Sequence, residues 1–107
     1  MARHRLMTPN DLLAGLPGED LVRAGLSDLQ AGRWTVPACR VVIAFPRMRR
    51  AGLVREAAAI APASAELALY RMLRQTGGNA YSRYNALLRQ LVSFERALDR
   101  RRLRRQP

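Results

Sequence analysis

The sequence contains no lysine, one histidine and one cysteine, and these shortages exclude several classes of protein. A single cysteine, Cys39, rules out an internal disulfide framework and is compatible with a reducing cytoplasm, which we expect as the compartment. Cys39 also lies on an apolar segment without a histidine to activate it, so a buried small hydrophobe is favoured over a nucleophile. His4, the one histidine, is close to the N-terminus and has no potential ligand group beside it.

Groups that move protons or hold metal ions are correspondingly scarce. No cluster of His, Cys, Asp or Glu has the spacing of a metal site, and no phosphate-loop or dinucleotide glycine pattern is present. Glu19 and Asp20 are adjacent, but acids at the start of a helix are expected from the helix dipole alone. We therefore predict a protein that is not an enzyme and that requires no metal or cofactor.

Long apolar runs are also missing. No stretch approaches the roughly 20 apolar residues of a membrane-spanning helix. The start, "MARHRLMTPNDLL", is charged but has no apolar core before Asn10 and Asp11, unlike a secretory signal. We predict neither membrane insertion nor secretion, and we expect residues 1–7 to form a flexible extension.

What the chain does have is enough apolar sequence for one domain and a strong positive charge. Its 107 residues are 49% hydrophobic and 25% charged, with a net charge of +11. A field of that sign attracts nucleic acids, acidic lipid headgroups or acidic protein surfaces. The absence of lysine indicates a compositional bias, so arginine position is more informative than arginine number. Residues 100–107 hold five arginines and no acid, whereas residues 1–99 hold fourteen arginines and eight acids.

Apolar residues recur with a helical period along most of the chain, which predicts an all-α, single-domain bundle of about five helices over residues 8–99. Thr8 and Pro9 begin a short first helix, and a clearer amphipathic helix follows Pro17-Gly18. The segment "TVPACRVVIAF" is ambiguous, because its β-branched run also suits a strand. We predict a helix capped by Thr35, since no other stretch supplies a partner strand.

The second half of the chain gives three more helical segments. Pro46 is expected to stop or kink the third helix, and an alanine-rich helix is expected between Gly52 and Ala61. Ser64 and Ser82 are predicted to cap the last two helices. The inward stripe of the last helix consists of Tyr84, Leu87, Leu88, Leu91, Phe94 and Leu98.

Two charged residues, Glu95 and Arg40, lie among apolar residues of the predicted helices. Glu95 falls within the apolar arc of the last helix and needs an arginine from another helix or from a second subunit. The helix pair from Leu21 to Phe45 resembles a groove-reading motif in outline, but its second helix offers only Arg40 among aliphatic residues. We therefore disfavour specific reading of the major groove.

The arginines at the end of the chain are the main functional candidates. A helix dipole favours basic residues only within the last turn, so it does not explain five arginines in residues 100–107, the predicted basic tail. We predict non-specific, salt-sensitive contact with DNA or RNA phosphates, with Tyr81 and Tyr84 available to stack on bases. The predicted phosphate contacts are Arg83, Arg89, Arg96, Arg100, Arg101, Arg102, Arg104 and Arg105.

An alternative assigns the arginines to a solvated surface or to an acidic protein partner. In that case the amphipathic helices would serve protein interaction or self-association, for example as a homodimer. The sequence does not choose between these two functions.

Overall fold

A computed structural model describes residues 9–54 and 61–104, and every element in these ranges is helical. The all-α prediction is confirmed. The predicted flexible segment at residues 1–7, and most of the predicted alanine-rich helix after Gly52, lie outside the described residues. The five helices are α1 (Pro9–Leu13), α2 (Glu19–Gln30), α3 (Val36–Arg50), α4 (Pro62–Gln75) and α5 (Ala80–Arg104).

Helix α3 resolves the ambiguous segment in favour of a helix. Thr35 caps it as predicted, because its Oγ1 accepts the Ala38 N–H at 3.2 Å. Pro46 was expected to stop or kink this helix, and of these two effects the stop is wrong, since α3 continues to Arg50. Proline removes only one backbone donor, and the burial of Met48 beyond it holds the last turn in place.

Two predicted caps were also wrong. Helix α4 begins at Pro62, two residues before Ser64, because proline suits the first helical position and leaves the preceding Ala61 extended. Helix α5 begins at Ala80, and its cap is the Asn79 side chain, whose Oδ1 accepts the Ser82 N–H at 3.0 Å. Ser82 is thus the residue that is capped.

Helix α3 is central to the bundle and packs against α2, α4 and α5. One apolar cluster joins α1, α2, α3 and the second half of α5, where Phe94 and Leu98 are buried. A smaller cluster joins Cys39 to Leu69 and Leu73 of α4. Gly25 lets α2 approach α3 closely, because a Cβ atom there would overlap the Pro37 carbonyl oxygen.

Candidate nucleic-acid interface

Four arginines of α5 lie exposed along one side of the helix, and we call them the arginine stripe: Arg89, Arg96, Arg100 and Arg104. At about 1.5 Å of rise per residue, they span roughly 22 Å of the helix axis. None of the four forms an ion pair with any described residue. The stripe is therefore a line of cations without internal compensation.

The stripe faces outward because the opposite side of α5 is apolar. Leu91, Phe94 and Leu98 recur at helical spacing and are all buried, which fixes the rotation of the helix about its axis. Residues 89, 96 and 100 then fall on the solvent side, as the sequence predicts.

The two acids of α5 do not compensate the stripe, because both are bound by α3. Arg47 Nε lies 3.8 Å from Glu95 Oε2, and Arg47 Nη1 donates to Asp99. Of the two partners expected for Glu95, the structure thus shows an arginine from another helix, at ion-pair distance. Burial raises the pKa of Glu95 above its ordinary value, while the charge of Arg47 acts in the opposite direction.

Arg101 was predicted to contact phosphate, but in the structure its side chain is hydrogen-bonded within the fold. Its Nη1 donates to the carbonyl oxygens of Leu12 at 3.2 Å and of Ala14, at the end of α1. A basic side chain at the C-terminus of a helix satisfies carbonyls that have no partner in the helix itself. Residues 100–104, assigned to the tail from the sequence, thus continue α5, and Arg101 anchors them to α1.

Arg83 is likewise hydrogen-bonded within the fold, at the end of α4. Its Nη2 donates to the Leu73 carbonyl at 2.6 Å and also to the Gly77 carbonyl. The guanidinium thus closes the turn between α4 and α5, and it is removed from the set of free cations. Arg102 is half-buried, with a buried Nε that has no hydrogen-bond partner, and Arg105 lies outside the described residues.

The two predicted stacking residues differ in exposure. Tyr81 is 66% exposed, whereas Tyr84 is half-buried and packs edge-on against Tyr70 with ring centroids 5.5 Å apart. Burial, and then the charge of Glu66, raise the pKa of the Tyr84 hydroxyl. A shallow depression, which we call the tyrosine pocket, is lined by Ala63, Glu66, Leu67, Tyr70, Tyr81 and Tyr84.

A buried arginine is the feature that the sequence reveals least. Arg40 is only 3% exposed, and its Nε and Nη1 atoms have no hydrogen-bond partner. Burial lowers the pKa of this guanidinium. Arg40, the one polar side chain of the segment "VPACRVVIAF", is therefore not available to a DNA groove. The only hint in the sequence is that Arg40 stands within an otherwise apolar helix.

Across the described ranges, no group of three or more His, Cys, Asp or Glu residues is arranged to hold a metal ion. The helices in those ranges are also too short or too polar to cross a bilayer. Comparison with protein-family models, curated proteins and solved structures gives no match.

Proposed function

We propose that this protein acts by binding rather than by catalysis, and that the arginine stripe binds nucleic-acid phosphates without regard to base sequence. One observation carries the proposal: four exposed guanidinium groups share one side of a helix and have no acidic partner among the described residues. The setting we propose is the cytoplasm, with which a single buried and unpaired thiol, Cys39, is compatible.

The arginines of the stripe repel one another. Arg96, Arg100 and Arg104 are each one turn apart, and like charges at that spacing destabilise a helix. Phosphate oxygens would relieve this repulsion, and a guanidinium binds them with two parallel hydrogen bonds. Contacts of arginine with phosphate position a protein on nucleic acid but carry no base-sequence information, which is why we propose binding without regard to sequence.

Salt dependence is the first test. With four phosphate contacts, the slope of log K against log salt is about −3.6 for duplex DNA and about −2.8 for a single strand. Raising the salt fourfold therefore weakens duplex binding by a factor on the order of 100. Fluorescence anisotropy with labelled duplex DNA and labelled single-stranded RNA measures both slopes and shows which nucleic acid is preferred.

The second test separates the stripe from net charge. A variant with Arg89, Arg96, Arg100 and Arg104 all changed to Gln should lose most of its affinity and its salt dependence. The matched control changes four exposed arginines elsewhere, Arg49, Arg50, Arg71 and Arg74, to Gln and removes the same charge. Equal losses in the two variants, or negligible binding by the wild-type chain, would overturn the proposal.

A further inference from the structure

Helix α5 also carries a line of exposed apolar side chains beside the arginine stripe. Tyr81 is 66% exposed, Val92 42% and Leu103 58%. Successive members are eleven residues apart, which is close to three full turns, so the three side chains fall on one line along the helix. We call this line the apolar edge. Exposed apolar side chains aligned on one side of a helix are available to pack against a second helix.

The apolar edge is symmetric about Val92. Tyr81 and Leu103 each lie roughly 16 Å from it along the axis, in opposite directions. If a second copy of α5 runs antiparallel across this edge, Val92 meets the same residue of that copy, and Tyr81 of each chain meets Leu103 of the other. A contact of this kind is self-complementary and closes as a dimer.

Charge favours the antiparallel direction over the parallel one. The C-terminal end of α5 is basic, with Arg100 and Arg104 exposed. The N-terminal end lies beside the tyrosine pocket, whose Glu66 is half-buried and forms no ion pair with a described residue. Antiparallel helices place the basic end of each copy near Glu66 of the other, whereas parallel helices would bring the two basic ends together.

We propose that the chain forms a homodimer in which α5 packs antiparallel against α5 of a second copy along the apolar edge. The two-fold axis passes between the paired Val92 residues and is perpendicular to both helices. That axis places both arginine stripes on the same side of the dimer. The dimer itself does not depend on nucleic-acid binding, and its test uses the full chain without nucleic acid.

The association is measured by sedimentation velocity over a wide range of protein concentration. Val92→Arg puts two like charges opposite each other at the two-fold axis, and it should weaken dimerisation by about a hundredfold or more. Ser93→Arg adds the same charge to an exposed neighbour that is off the apolar edge, and it should leave dimerisation nearly unchanged. Circular dichroism and thermal unfolding check that both variants fold. A wild-type chain that is monomeric at every concentration, or equal effects of the two substitutions, would overturn the dimer.

Disulfide cross-linking tests the register. The native Cys39 is fully buried and its thiol pKa is raised by burial to about 11, so it should not interfere. Val92→Cys should cross-link with itself, and a mixture of Tyr81→Cys and Leu103→Cys chains should form the mixed species. Cross-linking of Tyr81→Cys with itself in preference to the mixed species would show a parallel pair and refute the antiparallel register.

Discussion

Helices α2 and α5 both pack against α3, but they differ in the sign of their charges and in how many of those charges have a partner within the fold. Helix α2 has three acids and one arginine, whereas α5 has seven arginines and two acids. On α2, two of the three acids are bound within the fold. Glu19 accepts the Gly15 N–H at 2.8 Å and is paired with Arg23, while Asp28 accepts the Thr35 hydroxyl at 2.6 Å and is paired with Arg33.

Six of the seven arginines of α5 divide into two groups, and the half-buried Arg102 belongs to neither. Arg83 and Arg101 are bound within the fold, like the acids of α2, because they satisfy carbonyls at the ends of α4 and α1. The arginine stripe has no such partners. On these helices a charge with an internal partner is structural, and an exposed charge without one is a candidate for binding, whatever the total number of charges.

The largest effect is expected at the contact between α2 and α3. Gly25→Ala forces a methyl group against the Pro37 carbonyl oxygen and the Val41 side chain. Because the backbone oxygen cannot move aside easily, we expect a loss of about 3 kcal/mol in the free energy of unfolding, at the upper end for overpacking. The gain in helix propensity, about 1 kcal/mol, offsets only part of this.

Urea unfolding followed by circular dichroism measures the change. Ser27→Ala, at an exposed position of the same helix, is the control and should stay within about 0.5 kcal/mol of the wild type. If Gly25→Ala were more stable than the wild type, helix propensity would outweigh packing and the close approach of α2 to α3 would be in error.

An intermediate effect is expected from two neighbouring arginines of α5. Arg101→Ala removes charge-assisted hydrogen bonds to the end of α1 and should cost about 1.5 kcal/mol of stability. Arg100→Ala removes an exposed cation and should change stability by less than about 0.5 kcal/mol. The same unfolding measurement compares them, and equal costs would show that α5 does not divide into structural and unpaired arginines.

The smallest effect concerns Asp28 and depends on pH. Hydrogen bonds from Thr35, and then from Arg33, lower the pKa of this carboxyl below its ordinary value of 3.8. A carboxyl whose pKa is lower in the folded state stabilises the fold above its unfolded pKa. That contribution is lost as pH falls through the folded pKa. The stability advantage of the wild type over Asp28→Asn should therefore be present near neutral pH and disappear in acid.

Urea midpoints for both proteins, measured across the acid range, test this directly. A difference that stays constant at every pH would mean that the ionised form of Asp28 is not what stabilises the turn between α2 and α3.

Periodicity was sufficient to predict the fold class and the rotation of α5, because the buried residues Leu91, Phe94 and Leu98 recur every three or four positions along it. The caps were harder, since Asn79 and Ser82 are both good capping residues and lie only three positions apart. The sequence also indicated that Glu95 needs an arginine, because a carboxylate within an apolar arc must be satisfied. It did not identify Arg47, since that choice depends on how α3 lies against α5.

The candidate site was only partly predictable for the same reason. The exposure of Arg89, Arg96 and Arg100 follows from helical geometry alone. The hydrogen bonds of Arg83 and Arg101 do not follow from helical geometry. Each side chain reaches carbonyls that are distant along the chain, 10 residues away for Arg83 and up to 90 for Arg101. Contacts of that kind exist only after the helices have packed.

The contact between Arg101 and α1 also bears on the order in which the protein folds. It closes a loop of nearly the whole described chain, whereas the α2–α3 and α4–α5 contacts join neighbours in sequence. Closing a long loop costs more chain entropy than closing a short one, and distant contacts therefore tend to form late. The contact between α1 and the C-terminal end of α5 should therefore be the last to form during folding. In the native state this contact should open first, while the packing of α5 against α3 and α4 persists.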